Sequence, residues 1–294
     1  MNRLRGMVVP AATPFHDDET INFSVYEKLL SDLADAGVHA ILLGGSTGEY
    51  SLMSIEERKT LIEFGHKTVG KRTKVIAGCS CARPRDTADL LGFSEKLGIP
   101  YGLVLPPYYM QTSEDGIYAY YEDLENQGDI GIFIYHYPGA TGVRLTPEFV
   151  VELARLPHVV GIKDTDMLAN TAKLIQQTKS IENFSVINGE EYNILGTLAL
   201  GGAGCMGILF NLVPREMVAL YNAMMDNDVN RAREINSRLM PLYGLMEDEP
   251  YPGPIKAALA MAGYSMGSPR KPIVPASDIM KSKLMEAMTD AGLL

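Results

Sequence analysis

Short apolar runs alternate with longer segments of helical periodicity, and this pair of segments recurs eight times along the chain of 294 residues. Most of the apolar runs are continuous, as in strands buried on both faces. A strand-helix repeat favours a parallel sheet with right-handed crossovers, and eight strands close a small barrel. The predicted strands are residues 7–13, 38–43, 74–78, 101–105, 130–135, 159–163, 184–187 and 204–209. The predicted fold is therefore α/β, a (β/α)8 TIM barrel, with a doubly wound open sheet as the alternative.

Local signals mark where several of the helices begin and end. Ser54 and Glu57 have the spacing of a capping box, while Thr146 followed by Pro147 is typical of an N-cap and a first-turn proline. Three glycines follow predicted helices, where glycine accepts a left-handed conformation at little cost: Gly37, Gly70 and Gly98. These signals support the alternation read from hydrophobic periodicity.

The pattern changes after Met225, where strands stop and helical segments continue. Helices are predicted at residues 228–245, 255–262 and 279–292, separated by connections rich in proline and glycine. We therefore expect two parts, a TIM-barrel catalytic domain at residues 1–225 and a C-terminal helical segment at residues 226–294 that packs on the barrel.

Charge and cysteine content narrow the classes of function. The 26 Lys and Arg residues against 36 Asp and Glu residues give a net charge of −10, which disfavours nucleic acid and anionic membranes as partners. Cys79, Cys81 and Cys205 lack the spacing of a zinc site or a disulfide framework. No apolar run approaches the ~20 residues of a membrane span, and the first residues do not resemble a signal peptide. We expect a cytoplasmic protein that acts on a small molecule.

Three motifs fall at the predicted carboxyl ends of strands, where TIM barrels carry their functional side chains. They are GGSTGEY at residues 44–50, YHYPGATG at residues 135–142 and GIKD at residues 161–164. Lys163 ends the buried run VVGIK, which places an amine inside an apolar barrel where it could attack a carbonyl to form an imine. Tyr135 ends the run IGIFIY and offers a phenol for proton transfer. The alternatives are a lysine that marks a strand end and a tyrosine that serves packing.

The GGSTGEY motif has the composition of a small anion cradle. Its glycines permit a tight turn that exposes backbone N–H groups, and Ser46 and Thr47 add hydroxyl donors, so that a carboxylate fits there. No Gly-Lys-Ser/Thr sequence follows, so the motif is not a nucleotide P-loop. The alternative is an ordinary glycine turn that caps a helix.

Several motifs, in order along nearly the whole chain, resemble the dihydrodipicolinate synthase/N-acetylneuraminate lyase family of class I aldolases. They are VPAATPF, GSTGEYSLMSIEER, LVLPPYY, IYHYPGATG, GIKDT, LGGAGCMG, INSRLMPL and EPYPGPIK. The resemblance implies a TIM barrel, a lysine Schiff base with a 2-oxo acid such as pyruvate, a homotetramer, and no metal or diffusible cofactor.

The resemblance also assigns roles to individual residues. Lys163 matches the imine-forming lysine, Tyr135 the proton-shuttling tyrosine, and Ser46 and Thr47 the hydroxyl pair that binds the substrate carboxylate. Tyr109 is similar to the tyrosine that a neighbouring subunit inserts into the site. Further substrate-binding positions implied by the match are Gly48, Thr165, Gly189, Glu191 and Met206.

Departures from the family pattern bear on the substrate. Dihydrodipicolinate synthases carry an arginine for the second carboxylate where this chain has Ala140, and a guanidinium fork is hard to replace. The nearby Arg144 is a candidate substitute, and His136 replaces the usual asparagine. YPGATG together with GIKDT is most similar to members that cleave 2-keto-3-deoxy sugar acids, for which Glu190 and Glu191 offer acceptors.

We therefore expect aldol cleavage of a 2-keto-3-deoxy sugar acid to pyruvate and an aldehyde. The alternatives within the family are 4-hydroxy-tetrahydrodipicolinate (dihydrodipicolinate) synthase and N-acetylneuraminate lyase-like activity. The alternative from another class is a non-catalytic barrel that only binds a 2-oxo acid.

Overall fold

The chain folds as a closed barrel of eight parallel strands in sequence order, with the last strand paired to the first. A computed structural model describes residues 3–110, 112–247 and 250–294. The closed sheet confirms the predicted TIM barrel and excludes the open sheet. The strands are β1 Gly6–Pro10, β2 Ala40–Leu43, β3 Lys74–Gly78, β4 Tyr101–Val104, β5 Gly131–His136, β6 Val159–Asp164, β7 Ser185–Asn188 and β8 Gly204–Met206.

Helices surround the barrel and continue beyond it. They are α1 Phe23–Asp35, α2 Ile55–Val69, α3 Pro84–Lys96, α4 Glu114–Glu125, α5 Pro138–Thr141, α6 Pro147–Leu153, α7 Leu168–Thr178, α8 Ile194–Ala199, α9 Pro214–Met225, α10 Val229–Glu247, α11 Gly253–Met261 and α12 Asp278–Asp290. In the described ranges, none combines the length and the apolar character that crossing a membrane requires.

The predicted helix signals hold with one exception. Ser54 and Glu57 form the reciprocal capping box that begins α2, and the Thr146 side chain accepts from the backbone of α6. Gly37 and Gly98 are left-handed, each with φ of +81°. The prediction for Gly70 holds in part: α2 ends at Val69 with Gly70 as its C-cap, but Gly70 is not left-handed. Its φ is −61°, because its N–H continues the helical hydrogen bonding of α2.

The eighth strand is shorter than predicted. It ends at Met206, and Leu209–Asn211 form a 3-10 helix instead of continuing the strand. The Leu209 N–H donates to Oε1 of the buried Glu191 side chain at 2.7 Å, which turns the backbone away from the sheet. An apolar sequence alone does not reveal this acceptor.

The C-terminal helices pack against the barrel. The Lys256 amine of α11 contacts the Glu49 carboxylate at 2.8 Å, and the Arg270 guanidinium bonds the Glu57 carboxylate at the start of α2. The Tyr264 hydroxyl donates to the α1 side chain Asp32 at 2.7 Å. Helix α9 ends at Met225, where the boundary between the two parts was predicted, and the segment beyond it reaches the turn that follows β2.

Candidate active site

A cavity of about 210 Å³ opens at the carboxyl ends of the strands. It is the end of the barrel at which all three predicted motifs fall. Seven of the predicted site residues line this cavity: Ser46, Thr47, Tyr135, Lys163, Thr165, Gly189 and Met206. The structure therefore brings together residues that are up to 160 positions apart in the sequence.

The amine and the phenol face each other inside the barrel. Tyr135 of β5 and Lys163 of β6 are direct partners in the strand register. The Lys163 Nζ lies 3.3 Å from the Tyr135 hydroxyl and 4.4 Å from the centre of its ring. Lys163 is 7% exposed and Tyr135 is 4% exposed. A proton can therefore pass between the two groups at a site from which bulk water is largely excluded.

Space around the amine depends on a glycine in the next strand loop. A Cβ atom at Gly189 would lie 2.8 Å from Lys163 Cε and 2.1 Å from Thr165 Oγ1. No side chain fits there without moving the lysine. The Thr165 hydroxyl is buried and has no hydrogen-bond partner among the described residues, so it is available to a ligand.

The turn after β2 has the form of the predicted anion cradle. The Gly48 N–H donates to Gly45 at 3.0 Å and the Glu49 N–H donates to Ser46 at 2.9 Å. These two bonds close the turn without using the N–H groups of Ser46 and Thr47. Gly48 itself shapes the turn and does not line the cavity. Backbone and hydroxyl donors of the Ser46-Thr47 pair can thus meet a carboxylate together.

Tyr251 completes this cradle and was missed by the sequence analysis. It lines the cavity, and its hydroxyl donates to Thr47 Oγ1 across 204 positions of sequence. Burial raises the pKa of Tyr251 well above its usual value, so the phenol stays protonated and remains a donor. The EPYPGPIK motif contains this tyrosine, but nothing in the motif indicates which barrel loop it meets.

The two neighbouring glutamates after β7 take different positions. Glu190 lines the cavity and accepts a 2.8 Å bond from the Tyr243 hydroxyl of α10. Glu191 is fully buried behind it, bonded to the Leu209 N–H. Burial raises the pKa of Glu191 to about 8. Glu191 therefore holds the chain after β8 and does not reach the cavity.

Three further predicted positions lie outside the cavity lining. Ala140 is exposed on α5, and Arg144 pairs with Asp166 while its side chain is 59% exposed. Tyr109 is 90% exposed with a φ of +71° and does not line the cavity of its own chain. Arg144 therefore supplies no cation to this cavity as the chain stands.

His136 has a structural explanation that the sequence did not offer. It is fully buried, and its ring bonds Asp164 at 2.7 Å and the Leu145 N–H at 3.1 Å.

Within the described ranges, no group of three or more His, Cys, Asp or Glu side chains is arranged to hold a metal ion.

Curated proteins similar to this chain are named as synthases. The protein of Thermodesulfovibrio yellowstonii named 4-hydroxy-tetrahydrodipicolinate synthase is 34% identical over 291 residues, which cover 99% of each chain. The protein of the same name from Parvibaculum lavamentivorans is also 34% identical over 291 residues, with 99% of each chain covered.

Solved structures agree over the whole chain. Dihydrodipicolinate synthase of Thermotoga maritima superposes with a TM-score of 0.95 at 31% identity, covering 100% of both chains. A prophage protein of E. coli K12 described as belonging to the dihydrodipicolinic acid synthase family, solved in complex with pyruvate, gives a TM-score of 0.95 at 28% identity and covers 99% of both. The pattern of the dihydrodipicolinate synthetase family matches residues 3–291. The chain belongs to that family of pyruvate-dependent, Schiff-base-forming lyases.

Proposed function

We propose that this protein is an aldolase that cleaves a 2-keto-3-deoxy sugar acid to pyruvate and an aldehyde through an imine on Lys163. The observation that carries the proposal is the charge pattern of the cavity. Among the described residues that line it, Lys163 is the one Lys, Arg or His side chain, and Glu190 is the one Asp or Glu side chain. Tyr137, Thr165 and Tyr243 add hydroxyl groups to the lining.

The first half of the reaction joins substrate and enzyme. The substrate carboxylate binds at Ser46 and Thr47, and the Lys163 amine attacks the C2 keto carbon. The carbinolamine loses water as Tyr135 donates a proton to the leaving hydroxyl. The product is a protonated imine, which withdraws electrons from the C3–C4 bond.

The second half breaks the carbon skeleton. Tyr135, now short of a proton, removes the proton of the C4 hydroxyl. The C3–C4 bond breaks, its electron pair forms the enamine, and the aldehyde leaves. Protonation of the enamine at C3 and attack by water on the imine then release pyruvate and regenerate the Lys163 amine.

The negative charge of Glu190 in the cavity favours a polyhydroxy tail over a second carboxylate. Glu190 and the surrounding hydroxyls can accept and donate hydrogen bonds to sugar hydroxyls. A carboxylate ~4 Å from Glu190 would be repelled by about 4 kcal/mol at an effective dielectric constant of ~20, a factor of about 10³ in affinity. No guanidinium in the described lining offsets that repulsion.

The second candidate is 4-hydroxy-tetrahydrodipicolinate synthase, the name that the curated relatives carry. That reaction needs a cation for the carboxylate of aspartate semialdehyde, yet Ala140 provides none and Arg144 is paired with Asp166. A substrate panel separates the candidates. Cleavage of 2-keto-3-deoxygluconate or a related acid, with pyruvate detected by lactate dehydrogenase, supports the proposal. Turnover confined to pyruvate plus aspartate semialdehyde would overturn it, and cleavage confined to N-acetylneuraminate would assign the lyase alternative.

We also propose a homotetramer in which Tyr109 of one subunit completes the site of its neighbour. The 90% exposed ring and the positive φ of Tyr109 support a contact outside its own chain. Met110 beside it is 74% exposed, which is unusual for an apolar side chain unless a partner covers it. Sedimentation velocity gives the number of subunits.

A further inference from the structure

A buried polar network lies directly behind the amine and the phenol. His136 and Asp164 follow Tyr135 and Lys163 in the chain, and the two pairs occupy successive positions of the β5–β6 register. Because side chains alternate along a strand, His136 and Asp164 point out of the barrel, towards the helical layer. Both are 0% exposed.

Two hydrogen bonds fix the protonation of His136. The Leu145 N–H donates to Nε2 at 3.1 Å, so Nε2 is the acceptor of the ring. Nδ1 therefore carries the proton and donates it to Asp164 Oδ1 at 2.7 Å. A neutral histidine in a single tautomer thus links the end of β5 to the end of β6.

The network continues into α7 and β7. The Thr171 hydroxyl donates to Asp164 Oδ2 at 2.7 Å, and Asn188 Nδ2 donates to Thr171 Oγ1 at 2.9 Å. The Asn188 Oδ1 in turn accepts the N–H of Glu190 at 2.7 Å. One chain of bonds therefore connects the strand ends that carry the phenol, the amine and Glu190.

We propose that His136, Asp164 and Thr171 are positioning residues that hold the Tyr135 hydroxyl at proton-transfer distance from the substrate imine on Lys163. The inference rests on the imine chemistry of the proposed function but not on the identity of the sugar acid. A misplacement of about 1 Å is sufficient to slow a reaction ~10²-fold. The Ser46-Thr47 turn lies between β2 and α2, outside the network, so pyruvate binding should not depend on the network.

The test follows exchange of the pyruvate methyl protons in D2O, because this reaction needs no aldehyde. In the imine, Tyr135 takes a C3 proton, the C–H electron pair forms the enamine double bond, and return of a deuteron from the phenol labels the methyl group. NMR measures the rate, and its dependence on pyruvate concentration gives an apparent KM. Circular dichroism confirms that each variant is folded.

A matched pair of substitutions separates the two bonds of His136. Asparagine places an N–H near the position of Nδ1, so His136→Asn retains the bond to Asp164. Glutamine reaches the position of Nε2, so His136→Gln retains the bond from Leu145 and loses the one to Asp164. We expect exchange within about 3-fold of the wild type for His136→Asn and at least ~10-fold slower for His136→Gln, with KM for pyruvate within about 2-fold for both.

Thr171→Val keeps the side-chain shape and removes one hydrogen-bond donor to Asp164. This variant tests the proposal if a histidine variant does not fold. We expect a loss of exchange rate of about 10-fold, again at unchanged KM. Equal exchange in the two histidine variants, or wild-type exchange in folded Thr171→Val, would show that the network is only structural. Wild-type exchange without cleavage of any keto-deoxy sugar acid would instead overturn the proposed function and leave this inference intact.

Discussion

At the level of single residues, the Lys163 side chain has the space it occupies because residue 189 is a glycine. We predict that Gly189→Ala reduces imine formation with pyruvate at least ~10-fold, because the added methyl group overlaps Lys163 Cε and Thr165 Oγ1. Borohydride added at set times reduces the imine formed up to that point, and the fraction of labelled protein gives the rate of imine formation. Gly92→Ala is the matched control: nothing lies within 4 Å of its Cβ position in α3, so activity should be unchanged and stability should rise by about 0.5–1 kcal/mol. Normal imine formation in Gly189→Ala would contradict the described geometry.

Glu191 should make the protein less stable as the pH rises. Its pKa of about 8 in the folded state lies above the ordinary value of 4.5, so folding favours the protonated carboxyl. That contribution is complete below the unfolded pKa and is lost between about pH 4.5 and pH 8, by at most ~1.4 kcal/mol per pH unit. The Glu191→Gln side chain has no charge to gain. The stability of this variant relative to the wild type should therefore be higher at about pH 9 than at about pH 5. Urea unfolding at both pH values measures the difference, and a constant difference would refute the buried ionisation.

At the level of structural elements, a buried ion pair links the turn after β2, which contains Ser46 and Thr47, to the C-terminal helices. Lys256 of α11 and Glu49 are 2% and 0% exposed, and burial lowers the pKa of Lys256 while Glu49 opposes that shift. Removal of the Lys256 amine leaves the Glu49 carboxylate buried without its ion-pair partner, although the Arg270 N–H still donates to it at 2.7 Å. We therefore predict that Lys256→Met costs about 3–5 kcal/mol in the free energy of unfolding. The double variant Lys256→Met with Glu49→Gln should recover most of this loss in chemical denaturation. A double variant as unstable as the single one would mean that the pair is not the source of the effect.

The sequence predicted the elements far better than it predicted the contacts between them. Hydrophobic periodicity located all eight strands, and capping residues marked the starts of α2 and α6, because both signals are local. Lys163 and Tyr135 were found because each ends a predicted strand, and the Ser46-Thr47 pair was found because it lies in a glycine-rich turn that follows one. Tyr251 and Tyr243 were not, because their positions in the cavity depend on how the C-terminal helices cross the barrel.

Periodicity also left the two glutamates after β7 indistinguishable. Adjacent residues at the end of a strand point to opposite sides, but which side faces the cavity depends on the register of that end. The structure places Glu190 in the cavity and Glu191 behind it. His136 was left without an explanation, because its bonds to Asp164 on β6 and to Leu145 in the loop before α6 could not be inferred from spacing.

For the whole molecule, the proposed tetramer predicts that active sites can be complemented between subunits. Tyr109→Phe and Lys163→Ala should each be nearly inactive alone. If Tyr109 acts in the neighbouring site, subunits mixed after dissociation should regain part of the wild-type activity, because some sites then combine an intact lysine with an intact tyrosine. A mixture of Lys163→Ala with Tyr135→Phe is the control. Lys163 and Tyr135 of each site come from the same chain, so every site in this mixture lacks one of them and no activity should return. Equal recovery in both mixtures, or none in either, would contradict a shared site.

The chain carries a net charge of −10, so its overall field repels an anionic substrate and the local donors must capture it. Covalent capture of pyruvate is therefore the measurement on which the account depends. The protein is incubated with pyruvate, reduced with borohydride, and examined by intact-mass and peptide-mapping mass spectrometry. We predict that the wild type gains the mass of one reduced pyruvyl group, located on Lys163, and that Lys163→Ala gains none. An unchanged mass for the wild type, or a label on another lysine, would contradict the imine mechanism and leave a barrel that only binds a 2-oxo acid.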